Sequence, residues 1–253
     1  MEDGNLKQVR CRCKAGTLLA TAAAALLIGC QATLPPAPPG AAATAATEVD
    51  LGATYTELAR SGGQVFALQP RESTVRMYAF RAGKAARLGH NHVLSAPQFI
   101  GFFYLPPSGA ANGRFDLIFR LDQLEIDDPA ERSQSGAAFP GTISAEDIDS
   151  TRQHLLGGNG MQADTYPFVL IHSLRIAGEA PKFAAEVEVQ MHGRVQQTWV
   201  ALDVDGLPDH LVAGGSFVLR QTDFGVQPYS LLGGLLSVED EVVIEFRLAG
   251  TAL

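Results

Sequence analysis

An all-β fold is predicted by three observations on this 253-residue chain: short runs rich in Val, Ile, Phe, Leu and Tyr, turn residues between the runs, and strict apolar/polar alternation inside several of them. The runs are Val65–Leu68, Ser73–Phe80, His90–Leu105, Gly113–Leu124, Pro167–Ala177, Lys182–Met191, Arg194–Val204, His210–Gln221 and Glu239–Leu248. Alternation is clearest at Arg114–Asp122, where Phe115, Leu117, Phe119 and Leu121 share one face and charged residues dominate the other, which reads as wet. The same period recurs in Phe183–Val189 and Val242–Leu248. Consecutive one-sided antiparallel strands must close into a barrel or stack into a sandwich to hide their edges. One element breaks the pattern. In Ile143–Leu156, Ser144 and Asp147 form a capping box, Ile148, Leu155 and Leu156 make a helical stripe, and Gly157-Gly158 ends it, so a single helix is inserted between strands.

The N-terminus has a different character. Lys7, Arg10, Arg12 and Lys14 precede an apolar stretch, Ala15–Gly29, too short for the about 20 residues that cross a bilayer, so residues 1–29 read as an export signal. The stretch ends in Leu26-Leu27-Ile28-Gly29-Cys30, which resembles a bacterial lipobox, so Cys30 is expected to be the acylated first residue of the mature protein. Gln31 after it suggests the outer membrane. The location that follows is the periplasm, with membrane anchoring through Cys30. Residues 30–63 are an Ala/Pro-rich linker, with a short helix expected over Leu51–Arg60, and residues 64–253 are the domain. Cys11 and Cys13 leave with the signal, so no intramolecular disulfide is expected. Without the four basic and two acidic residues of the signal, the net charge falls from −8 to −10, which argues against nucleic acid as a partner.

The sharpest chemical feature is Gly89-His90-Asn91-His92, where two histidines on one strand would face the same way. A metal shared by His90 and His92 is the alternative function, but it needs further ligands, and Val93-Leu94-Ser95-Ala96-Pro97 supplies none. His154, His172, His192 and His210 are the remaining candidates. Neither a Gly-x-Ser-x-Gly elbow nor a Cys–His pair is present, no phosphate loop opens a helix, and no catalytic residue or cofactor is assigned. Asp127-Asp128 and Glu239-Asp240-Glu241 read as solvated charges at strand ends, and Arg220 with Asp223 as an ion pair closing the barrel.

Five segments in order resemble the YceI-like family. They are Leu68–Val75, Leu88–His92, Tyr166-Pro167 with Ile171 and Ser173, Met191-His192-Gly193, and Arg220–Val226. Gln69 and Ile171 depart from the family pattern. The resemblance implies a closed antiparallel lipocalin-like β-barrel of about eight strands that binds a long isoprenoid or quinone-like lipid and is not an enzyme, in a protein that forms a homodimer. Ligand contacts are expected at His90, Asn91, His92, Phe119, Tyr166, Ile171, Ser173, Arg220, Asp223 and Phe224, the polar ones at the barrel mouth. Val75, Met77, Phe115, Leu117, Phe119, Val169, Ile171, Val187, Val189, Phe217 and Phe246 would line the lumen.

Overall fold

The computed structural model describes residues 50–253, and the signal segment, Cys30 and most of the linker lie outside them. Asp50 accepts a hydrogen bond from Ala53 N at 3.0 Å and so caps helix α1 (Leu51–Arg60), as expected. The strands follow: β1 (Gln64–Leu68), β2 (Thr74–Ala82), β3 (His92–Ser95), β4 (Ile100–Leu105), β5 (Arg114–Arg120) and β6 (Glu125–Ile126). Then come β7 (Phe168–Glu179), β8 (Lys182–Met191), β9 (Arg194–Asp205), β10 (Leu211–Arg220), β11 (Ser230–Leu231) and β12 (Leu236–Ala252). Helices α2 (Pro129–Gln134) and α3 (Ala145–Leu156) lie between β6 and β7.

The strands pair antiparallel in the order β1, β4, β5, β7, β8, β9, β10, β12, and β12 pairs with β1 again. An eight-stranded barrel is therefore closed and has no free edge around its circumference. β2, β3 and β6 prolong β1, β4 and β5 past short interruptions. At the first, β12 carries the wall across: Gln69 N donates to Ala249 O at 2.8 Å, and Ala249 N donates to Ser73 Oγ at 3.0 Å. The expected strand His90–Leu105 is two strands. Pro97, which has no N–H for a ladder, falls in the interruption, and His90 precedes the first strand altogether.

Two outer faces are covered rather than wet. Opposite the inward Phe115 and Leu117, the outward Asp116 and Ile118 of β5 are buried, Asp116 beneath α1. Tyr55, fully buried, stacks on Phe102 and donates to Asp116 Oδ2 at 2.8 Å, while His172 Nδ1 and Arg114 Nε donate to the same carboxylate at 2.6 and 3.1 Å. Likewise Asp127 is not a solvated turn charge. Arg132 of α2, itself buried, pairs with Asp127 Oδ1, while His92 Nδ1 donates to Oδ2 at 2.6 Å and Val93 N to Oδ1 at 3.1 Å. Helix α2 has a short but readable signal, Asp128 as N-cap followed by Pro129 at its first position. Glu239, Asp240 and Glu241 lie within β12 at a register shift, not at a strand end.

Helix α3 forms as expected, with Ser144 Oγ accepting from Asp147 N at 3.1 Å. It fills a gap in the wall. β7 pairs with β5 only as far as Phe168–Arg120, so β6 has β3 on one side and α3 on the other, with Arg152 Nη2 donating to Leu124 O at 2.8 Å.

Burial pushes the Asp127 and Asp116 carboxyls up. The hydrogen bonds from His92, Val93 and Arg132 to the first, and from His172, Tyr55 and Arg114 to the second, outweigh burial and hold both below 3.8. Stability from these groups is complete above 3.8 and is lost as pH falls through their lower folded values. Urea midpoints measured across the acid range are expected to drop there. Arg132→Met, which strands a buried charge, is expected to cost about 3–5 kcal/mol at neutral pH. Tyr55→Phe, which leaves Asp116 two partners, is expected to cost about 1–2 kcal/mol in the same assay.

Candidate ligand-binding site

The interior divides into two halves of different packing. The turns β4–β5, β7–β8 and β9–β10 share one end of the barrel, and the β8–β9 turn and the segment after β10 share the other. At the second end the lumen is filled. Phe119, Leu121, Val169 and Val189 pack there against Phe224 and Val226, all of them buried. Phe224 belongs to a 3-10 turn, Gln221–Phe224, that Gly225 ends in the left-handed region at φ 74°, so the chain doubles back and the ring enters the barrel.

Three of the motif segments build this plug. Met191 pairs with Arg194, so His192 and Gly193, at φ 52° and 68°, are a two-residue hairpin turn of the kind that needs positive φ at both positions. Tyr166 meets the His192 ring edge-on, and a Cβ at Gly193 would stand 2.7 Å from the Tyr166 ring. His192 Nδ1 donates to Phe224 O at 2.8 Å. Asp223 does not pair with Arg220: its carbonyl accepts from Gln196 Nε2 at 2.8 Å. Arg220 instead pairs outside with Glu241 at 3.2 Å, because the turn after it swings Asp223 away from the strand ladder.

In the other half the same inward phase encloses a void of about 110 Å³. Every side chain lining it is apolar, including Phe103, Phe115, Leu117, Phe183, Phe217 and Phe246. Ala110 and Leu207, from the β4–β5 and β9–β10 connections, bring the void to the hairpin end. Several lining residues that point inward are only half-buried, Phe115, Ile171, Leu202, Phe217 and Phe246 among them, so the packing there is open.

The wall also parts beside the void. The β9–β10 ladder runs from Asp205–Val212 to Ala201–Ser216 and stops. Val200 and Phe217, where the next rung would be, both line the void, and their outward neighbours Trp199 and Val218 are 45% and 51% exposed. Further along, Gln196 Nε2 of β9 donates to the Asp223 carbonyl in the turn after β10.

Of the ten expected contacts, Ile171 alone lines the void. Phe119 and Phe224 are core at the plugged end, and Ser173 Oγ accepts from Phe115 N at 2.8 Å. Asn91 ties loops, with Nδ2 donating to Ala138 O at 2.9 Å and Oδ1 accepting from Arg81 N at 3.0 Å. His90 is exposed and His92 is held by Asp127 and Arg132, so the two do not share a strand face. Among the described residues no three His, Cys, Asp or Glu side chains gather to hold a metal. Of the expected lumen set, Val75, Phe115, Leu117, Ile171, Val187, Phe217 and Phe246 line the void, whereas Phe119, Val169 and Val189 are packed core and Met77 is partly buried against it.

A model of the YceI-like domain matches residues 66–249, well over half of the chain. The chain belongs to the YceI-like family. Burkholderia cenocepacia BcnA is similar in fold at a TM-score of 0.55 and 17% identity, over 73% of this chain and 99% of that one. The Campylobacter jejuni YCEI protein matches at 0.40 and 10% identity, over 53% and 70%. No curated protein matches the sequence. A YceI-like barrel is a hydrophobic ligand-binding fold, and the apolar void is where this one has room for a ligand.

Packing in the two halves should respond differently to truncation. Phe119→Ala, in the filled half, is expected to cost about 3–5 kcal/mol by urea denaturation. Phe217→Ala, on a half-exposed ring beside existing space, is expected to cost clearly less, and equal costs would contradict the division.

Proposed function

We propose that this YceI-like protein binds the chain of a long apolar lipid, of isoprenoid or quinone-like type, as a periplasmic lipoprotein held on the outer membrane through acylated Cys30. The observation that carries the reading is the void: no lining side chain has a polar group to satisfy, so the guest there is hydrocarbon. Its size limits how the guest sits. A cavity of about 150 Å³ takes one benzene, so about 110 Å³ encloses only a short segment of a chain. The remainder leads out through the hairpin end or the parted β9–β10 wall, and the polar head stays outside. Burying a five-carbon unit contributes on the order of 3–4 kcal/mol before the cost of ordering the chain, so affinity comes from length rather than from polar recognition.

Trp199 is the chain's only tryptophan and borders the parting in the wall, which makes it a reporter. A long-chain alcohol dibrominated at mid-chain is expected to quench its emission in a saturable titration. Ala213→Trp places a second indole inside the void; that variant is expected to keep its β-sheet circular dichroism and to lose retention of the same alcohol on gel filtration. Undiminished retention by the filled variant would refute the site.

A further inference from the structure

Leucines project from the plugged end of the barrel where they serve no core. β11 and β12 form a hairpin in which Leu231 pairs with Leu236, and its tip runs Leu232-Gly233-Gly234-Leu235. Leu232, at φ 51°, sits in a region that a branched side chain rarely adopts, and is nonetheless 81% exposed. Leu235 and Leu231 are 44% and 42% exposed, and Tyr229, at the base, packs against the His154 ring at a tilt.

The β2–β3 loop lies against this tip. Ala85 N donates to Leu235 O at 2.7 Å, and a Cβ at Gly83 would stand 2.5 Å from the same carbonyl. From this loop Leu88 projects, 71% exposed, flanked by exposed Lys84 and Arg87. Neither cation forms an ion pair among the described residues, although Arg220, the nearest basic residue of β10, is paired with Glu241 and Asp240. An acidic chain of net charge −8 thus places two unpaired cations among four exposed leucines on two loops fastened together. A strained, exposed leucine costs folding free energy without return inside the fold, so its use lies outside it.

We propose that these two loops dock the barrel on an anionic lipid bilayer, the leucines entering the headgroup boundary and Lys84 and Arg87 meeting phosphates. Apolar side chains with basic neighbours are what binding at an interface needs: the apolar part sinks roughly 5–10 Å and the cations lie at headgroup level. The contact is separate from any acyl anchor and from the void, which reaches the opposite end of the barrel.

Vesicle flotation of the mature chain from Gln31 onward, which lacks both the signal segment and the acylated cysteine, tests this directly. Co-flotation is expected with phosphatidylglycerol-containing vesicles, weakened several-fold on all-phosphatidylcholine vesicles and by added salt. Leu88→Ser with Leu232→Ser, and separately Lys84→Glu with Arg87→Glu, are expected to abolish it. Leu174→Ser with Leu253→Ser, on exposed apolar positions outside the two loops, is expected to leave it unchanged. Flotation unaffected by the two loop pairs, or absent from the parent, overturns the proposal. So does concentration-dependent self-association of the parent that the leucine pair removes, which would make the tip a contact between copies of the chain.

Discussion

Closure of the sheet is the constraint on which the rest of this molecule depends. β12, the longest strand, pairs with β10 along one side and with β2 and then β1 along the other, and so joins the last wall to the first. Once closed, an eight-stranded sheet has one interior, and each strand sends every second side chain into it. A barrel of this size can be filled by its own side chains or can keep room for one small guest. Here it does both, at different heights.

What decides the height is a segment outside the strands. Phe224 and Val226 come from the turn after β10, and their burial against Phe119, Val169 and Val189 seals one end. The hairpin turn at His192-Gly193, the Tyr166 ring and the His192 hydrogen bond to the Phe224 carbonyl hold that seal in place. At the other end the connections contribute only Ala110 and Leu207 to the lining, and inward Ala213 on β10 leaves space among larger apolar neighbours. The buried Asp116 and Asp127 networks act on the outside of the wall, fastening α1 and α2 to it, and contribute nothing polar to the lumen.

The strands were readable because alternation is a local signal: β8 has the bounds read from its sequence, and Phe115 and Leu117 face the lumen as their phase implies. Burial on the outer face was not readable, since Asp116 and Asp127 look like any outward carboxylate until a helix from elsewhere covers them. The site was half legible. The inward phase named seven of the lining residues, but which of them face space and which face packing depends on Phe224, about a hundred residues from Phe119. Tyr166, Met191-His192-Gly193 and Arg220–Val226, from three of the segments that resemble the family, build the closed end, whereas Leu68, Val75 and Ile171 from such segments line the void. Their recurrence in order identifies the fold, and their position explains why Tyr166, Asp223 and Phe224 do not line the void. Inward Ala213 on β10 was the available hint of space.

The central claim is that the unplugged half of the barrel is a hydrocarbon site. Native mass spectrometry of the chain as purified from an exporting bacterial host, followed by organic extraction of whatever it carries, tests it most directly. One apolar, long-chain lipid per barrel, released on extraction, is the expected result. A barrel that arrives reproducibly empty and takes up no such lipid when offered it, or that carries a compact polar compound, would contradict it.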